Sequence, residues 1–139
     1  MDRKKLLKTL TTLFLFIFIV DILASKFYWY YSIWYFDMPM HFLGGFWSGL
    51  FIILLLSYKD LLNGKVSSSI LKIMLGVLLI GISWEIFEFS ANSYFVKNLF
   101  VANKLDSVSD IFFDLSGGLV ATLYYLKSIM PSLENKVQL

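Results

Sequence analysis

Three aspartates, Asp106, Asp110 and Asp114, stand four residues apart in the stretch Asp106 to Gly118, DSVSDIFFDLSGG. On a helix that spacing stacks them on one face. Glu85 and Glu88 lie three apart in Trp84-Glu85-Ile86-Phe87-Glu88, with Asn92 four further on, so these also share a face. The single histidine, His41, follows Asp37 by four residues. All of these polar groups are set in apolar sequence. A carboxylate at mid-bilayer depth costs roughly 2.5–3.5 kcal/mol on insertion scales, and by default it marks function. Grouped carboxylates also repel one another. They are relieved either by protonation and shared hydrogen bonds or by divalent cations bound among them. Carboxylates with one imidazole suit Mg²⁺, Mn²⁺, Fe²⁺, Ca²⁺ or Zn²⁺. A cation held there could polarise a phosphate or ester and activate water, with His41 as general acid or base. The candidate catalytic residues are therefore His41, Glu85, Glu88, Asp110 and Asp114. The candidate metal ligands are the same residues together with Asp37.

Each of these has a plainer reading. His41 near an interface can be a polar residue in a comfortable place. Asp37 can be the N-cap of a helix that Pro39 helps to start. Asp106 can cap the last span, and Asp21 can be a polar plug between helices. Gly44, Gly45, Gly49, Gly117 and Gly118 read as sites of close helix packing rather than as a phosphate cradle. Two pairs of acids on two different spans, at one depth, have no such packing explanation.

The chain that must position them has 139 residues, 58% hydrophobic and only 16% charged. A water-soluble domain of this size needs far more polar surface, so the composition indicates an integral membrane protein. The absence of cysteine excludes disulfides, thiolate metal sites and a cysteine nucleophile. The net charge of +2 is small and the basic residues form no stripe, so nucleic acid is not an expected partner.

The expected fold is all-α: a polytopic membrane protein of four transmembrane helices, with an aromatic interfacial segment between helices 1 and 2. A basic head, Met1 to Lys8, leads into the apolar run Leu10 to Ala24, read as an uncleaved first span rather than a signal peptide. The aromatic run Phe27 to Phe36 suits a membrane–water interface. The second span runs from Asp37 to about Ser57, with Gly45 and Gly49 as a small-xxx-small pair. Tyr58 to Lys72 reads as a polar loop with Asn63-Gly64 as its turn. The third span covers about Ile70 to Tyr94, and the fourth runs from Ser107 to about Ile129, ended by Pro131. Residues 1–130 form one four-helix transmembrane domain and 131–139 a polar tail.

Four spans put both ends on one side of the membrane, and the positive-inside rule chooses which. Arg3, Lys4, Lys5, Lys8, Lys59, Lys65, Lys72, Lys127 and Lys136 fall on the side of the termini, whereas the opposite loops hold Lys26, Lys97 and Lys104. The expected location is the cell membrane with both termini cytoplasmic. Asp21, Asp37, Glu85, Glu88, Asp106, Asp110 and Asp114 then all map to the outer half. At about 1.5 Å rise per residue, His41, Glu88 and Asp110 lie about one turn below the outer surface, with Gly45, Glu85 and Asp114 one turn deeper.

The pattern Asp37-x-x-x-His41-Phe42-x-Gly44-Gly45, then Trp84-Glu85-x-x-Glu88, then Asp106-x-x-x-Asp110-x-x-x-Asp114 with Gly118, resembles the VanZ-like and YjdF-like small membrane proteins. The resemblance covers about Asp37 to Gly118. The chain lacks the glutamine and arginine that VanZ-like members often carry after the glutamate. It also has Ser116 and Gly117 where they tend to place an asparagine, which makes the YjdF-like version closer. What the resemblance implies is a cell-envelope setting, associated in VanZ-like proteins with glycopeptide resistance.

The leading expectation is a divalent-metal site in the outer half of the bilayer, in a hydrolase of lipid or lipid-linked envelope precursors. The partner would be a membrane lipid or lipid-linked molecule. The alternatives are a non-catalytic envelope protein of the glycopeptide-resistance type and a proton- or cation-coupled transporter. The small trimeric lipid kinases also use intramembrane acids, but on the cytoplasmic side, which is opposite to the side expected here.

Overall fold

The computed structural model describes residues 3–59, 62, 65–95 and 104–137, with side chains described except at 91–95, 104–106 and 128–137. Five helices follow in order among the described residues, with no strand: α1 (Arg3–Lys26), α2 (Trp29–Ser32), α3 (Asp37–Tyr58), α4 (Val66–Phe95) and α5 (Lys104–Val137). Three of them, α1, α3 and α4 over Val66–Ser90, are long and apolar enough to cross a membrane. Over its described side chains, residues 107–127, α5 is not among these.

An apolar surround leaves helix hydroxyls only their own backbone as partner. Thr9 and Thr11 accordingly donate to the carbonyls of Lys5 and Leu7, both at 3.0 Å, and Thr122 to that of Gly118 at 2.8 Å. The same four-residue back-bond occurs at Ser57, Ser83, Ser90 and Ser116.

The core lies where α3, α4 and α5 meet. Leu50 and Ile53 of α3, Ile73 and Val77 of α4, and Ala121 and Thr122 of α5 are fully enclosed there. α1 rests on α3 through Leu6 and Leu10. The Trp47 indole donates to the Leu10 carbonyl at 3.0 Å, and Arg3 donates to the Ser57 carbonyl at 3.1 Å with its guanidinium over the Tyr58 ring. The outer face of α1 (Phe14, Phe18, Ile22) and that of α4 (Leu71, Leu75, Leu79, Ile86) are exposed, as an apolar solvent requires.

Several boundaries differ from the sequence reading. Asp37 is the first residue of α3, not its N-cap. Phe36 occupies the cap in a right-handed helical conformation, without a side-chain cap bond. The reason is the preceding turn: the Phe36 amide bonds the Ile33 carbonyl at 3.0 Å, so the chain enters α3 already coiled. The loop after α3 is shorter than Tyr58 to Lys72. The Lys65 carbonyl receives the Ser68 and Ser69 amides, which begins α4 at Val66. The Asn63-Gly64 turn lies outside the described residues. α5 starts at Lys104 and continues through Pro131 to Val137. A proline removes one amide, and here the helix bridges that gap where an end was expected. Asp106 thus falls in the first turn rather than at a cap.

Candidate metal centre

The centre is positioned by a backbone-to-backbone approach of α3 and α5. A methyl group added at Gly45 would collide with the backbone carbonyl of Asp114, and one added at Gly117 would collide with that of Phe42. No side chain fits between the helices at these points. The small residues expected to permit close packing do so, and the contact sets His41 of α3 directly against the aspartate stripe of α5.

His41, Asp110 and Asp114 are buried, at 6%, 5% and 7% exposure. His41 Nδ1 lies 3.5 Å from Asp114 Oδ1, and Nε2 lies 3.7 Å from Asp37 Oδ1 and 3.9 Å from Asp110 Oδ1. The imidazole is thus surrounded by three carboxylates from its own helix and its neighbour. Asp37 stands at the more open edge, with 39% of its side chain exposed. The helical spacing of Asp37 with His41, and of Asp110 with Asp114, is what delivers all four groups to one place.

α4 closes the other side. Glu85 and Glu88 each bring a carboxylate oxygen, and His41 a ring nitrogen, into a group whose atoms all lie within 4.8 Å of one another. Asp37, His41 and Asp110 form a second such group, so His41 is common to both. Glu85 Oε1 is fully enclosed and has no hydrogen-bond partner. The Asp114 carboxylate packs on Gly81, where an added methyl carbon would stand 2.7 Å from Oδ2.

This donor set fits a divalent cation. Two ligands of a tetrahedral ion held at about 2.1 Å are about 3.4 Å apart. The separations from Nε2 to Asp37 and Asp110 exceed a hydrogen bond and approach that spacing. An enclosed carboxylate oxygen without a donor asks for a proton or a cation. Oxygen donors with a single imidazole suit Mn²⁺, Fe²⁺ or Zn²⁺, and Mg²⁺ or Ca²⁺ through the oxygens.

All of the residues proposed from sequence, Asp37, His41, Glu85, Glu88, Asp110 and Asp114, therefore converge. Asp21 does not join them: it is exposed and accepts a 2.7 Å hydrogen bond from the Tyr30 hydroxyl. The side chains of Asn92 and Asp106 lie outside the described residues. Two neighbours were missed. Gly81 stands four residues before Glu85, on the same face, and that spacing was a readable signal. Tyr30, hidden in an aromatic run, carried none. Burial pushes the Tyr30 phenol well above its ordinary range. Its bond to Asp21 adds to this, as do the charges of Asp21, Asp37 and Glu88.

No curated protein and no solved structure matches the chain. Residues 1–129 match the family described as "Predicted membrane protein (DUF2238)", and the chain belongs to that family.

Proposed function

We propose that this member of a predicted membrane protein family spans the cell membrane four times, with α5 as the fourth span and both termini cytoplasmic. In this reading it binds a divalent cation between α3, α4 and α5 in the outer half of the bilayer. The aromatic segment around α2 lies at the outer interface. The reaction we favour is hydrolysis of a phosphate or ester linkage in a lipid or lipid-linked envelope precursor. Kinship with the VanZ-like and YjdF-like proteins belongs to the same reading.

The observation that carries it is the histidine ringed by carboxylates beside the unpartnered Glu85 Oε1. Asp37, His41, Asp110, Glu85 and Glu88 are the residues that would hold the ion. When bound, a divalent cation supplies Lewis acidity at a phosphate or ester oxygen and lowers the pKa of water. Asp114 is a positioning residue: from the Nδ1 side it holds the imidazole so that Nε2 faces the more open edge at Asp37. Gly81 leaves the room in which the Asp114 carboxylate sits.

Metal content of the detergent-purified protein tests this reading, with an Asp110→Ala/Asp114→Ala variant beside it. Stoichiometric metal in the parent and none in the variant is the expected result. Absence of metal from the parent, after reloading with Mg²⁺, Mn²⁺, Fe²⁺ and Zn²⁺ in turn, would sink it. The enclosed acids would then be protonated, and a proton-binding role would replace hydrolysis.

A further inference from the structure

The turn between α1 and α3 contains a feature that the acidic centre does not use. Tyr28 has φ 57° and ψ 34°, the left-handed conformation, and is the only non-glycine residue with positive φ among the described residues. Glycine or asparagine is the usual occupant of that region, and a bulky residue there is strained. The strained turn sets Tyr28 and Tyr31 with ring centroids 6.4 Å apart and planes inclined by 51°. Both rings stand largely in the open, at 69% and 72% exposure. Together with Tyr30, Ala24 and Ser25 they line a half-open cavity of about 370 Å³.

A carboxylate stands beside this cavity. Asp21 lies three and four residues before Ala24 and Ser25, so it shares their helix face. Its carboxylate accepts the bond from the Tyr30 hydroxyl, and Tyr30 lines the cavity. The negative charges of Asp37 and Glu88 also act on Tyr30. The nearest basic group in sequence, Lys26, is turned onto the Phe27 ring, 5.9 Å from its centroid. An anionic ligand would be repelled by the Asp21 carboxylate. Inclined aromatic faces, with the Asp21 carboxylate on the hydroxyl of a third lining tyrosine, suit an organic cation, whose charge is attracted both to the ring faces and to the acid.

We infer that the tyrosine-lined cavity at the α1–α2 turn binds an alkylammonium group, carried by a lipid headgroup or by a small soluble amine. The strain at Tyr28 is then the cost of presenting a ring where the backbone favours glycine. The cavity is lined by Ala24, Ser25, Tyr28, Tyr30 and Tyr31 and by none of the carboxylate–histidine ligands, while Asp37 and Glu88 of that centre act on Tyr30 by charge alone.

Calorimetric titration of the full chain with tetramethylammonium chloride, in an uncharged maltoside detergent and against a sodium chloride control, tests it. Saturable binding is expected in the parent. Tyr28→Gly removes one ring and relieves the strain. It should weaken binding about tenfold while leaving thermal stability unchanged or raised, a combination that a purely structural role for Tyr28 does not produce. Asp21→Asn keeps an acceptor for the Tyr30 hydroxyl and removes only the charge. It should also weaken binding about tenfold, and it decides the matter alone if the glycine variant does not fold. Nanodiscs separate the two sources. Loss of tetramethylammonium binding in phosphatidylcholine but not in phosphatidylglycerol identifies a lipid headgroup, and retention in both identifies a soluble amine. No saturable binding by the parent in detergent, or equal binding by Asp21→Asn, overturns the inference.

Discussion

Two glycines near Asp114 do different jobs, and their alanine variants should separate packing from chemistry. At Gly81 the obstacle to a methyl group is the end of a flexible carboxylate. Gly81→Ala should change stability by no more than about 1 kcal/mol, since alanine also favours the helix. It pushes the Asp114 carboxylate away from its seat, however, and a displaced supporting group lowers metal affinity by about tenfold or more. At Gly45 the obstacle is the Asp114 backbone itself, which cannot rotate aside. Gly45→Ala should cost about 3 kcal/mol or more, at the upper end of overpacking. Thermal unfolding in detergent and metal titration of both variants check the pair. Equal loss of stability in the two would show that Gly81 is only a packing glycine.

The Tyr30–Asp21 bond forms a clasp between α2 and α1, and it adds a pH dependence. In the unfolded chain a tyrosine ionises near pH 10. In the folded protein Tyr30 holds its proton to higher pH, because of burial, its bond to Asp21 and the nearby acids. Above about pH 10 the unfolded state therefore binds fewer protons than the folded one, and stability falls as pH rises. Below that point Tyr30 contributes no slope. The thermal midpoint of the parent should drop more steeply between about pH 9 and 11 than that of Tyr30→Phe. Parallel curves would mean that the bond is not kept in solution. The acidic centre was legible in the sequence because its spacings, Asp37 to His41, Glu85 to Glu88 and Asp110 to Asp114, are local helical facts. The clasp was not legible, because it depends on a left-handed turn at Tyr28 that no glycine announced. The plainer reading of Asp37 as a cap did not hold for a related reason: whether a helix begins at residue 36 or 37 depends on the turn before it, and aromatic residues at 34–36 carry no turn signature. The continuation of α5 through Pro131 runs against local preference altogether.

At the scale of the molecule, the proposed topology is directly measurable because the chain contains no cysteine. Single cysteines at Lys4, Lys65 and Tyr31 can each be tested with a membrane-impermeant thiol reagent on intact cells. The variant at residue 31 should label from outside, and those at residues 4 and 65 only after the membrane is opened. Labelling of residues 31 and 65 from the same side would require a different number of crossings. The proposed orientation rests on the lysine distribution, whereas the depth of α5 has no such signal, since its acids lower the apolarity of the helix. The contact between α3 and α5 also bears on how the chain is made. These two helices touch backbone to backbone, yet all of α4 separates them in sequence. While the ribosome has delivered only the first four helices, the groove at Gly45 is empty and His41 has no aspartates from α5 beside it. The centre is therefore completed last, by the least apolar helix. A defect in the groove should then appear first as nascent chains removed by quality-control proteases, before any loss of activity in the molecules that survive.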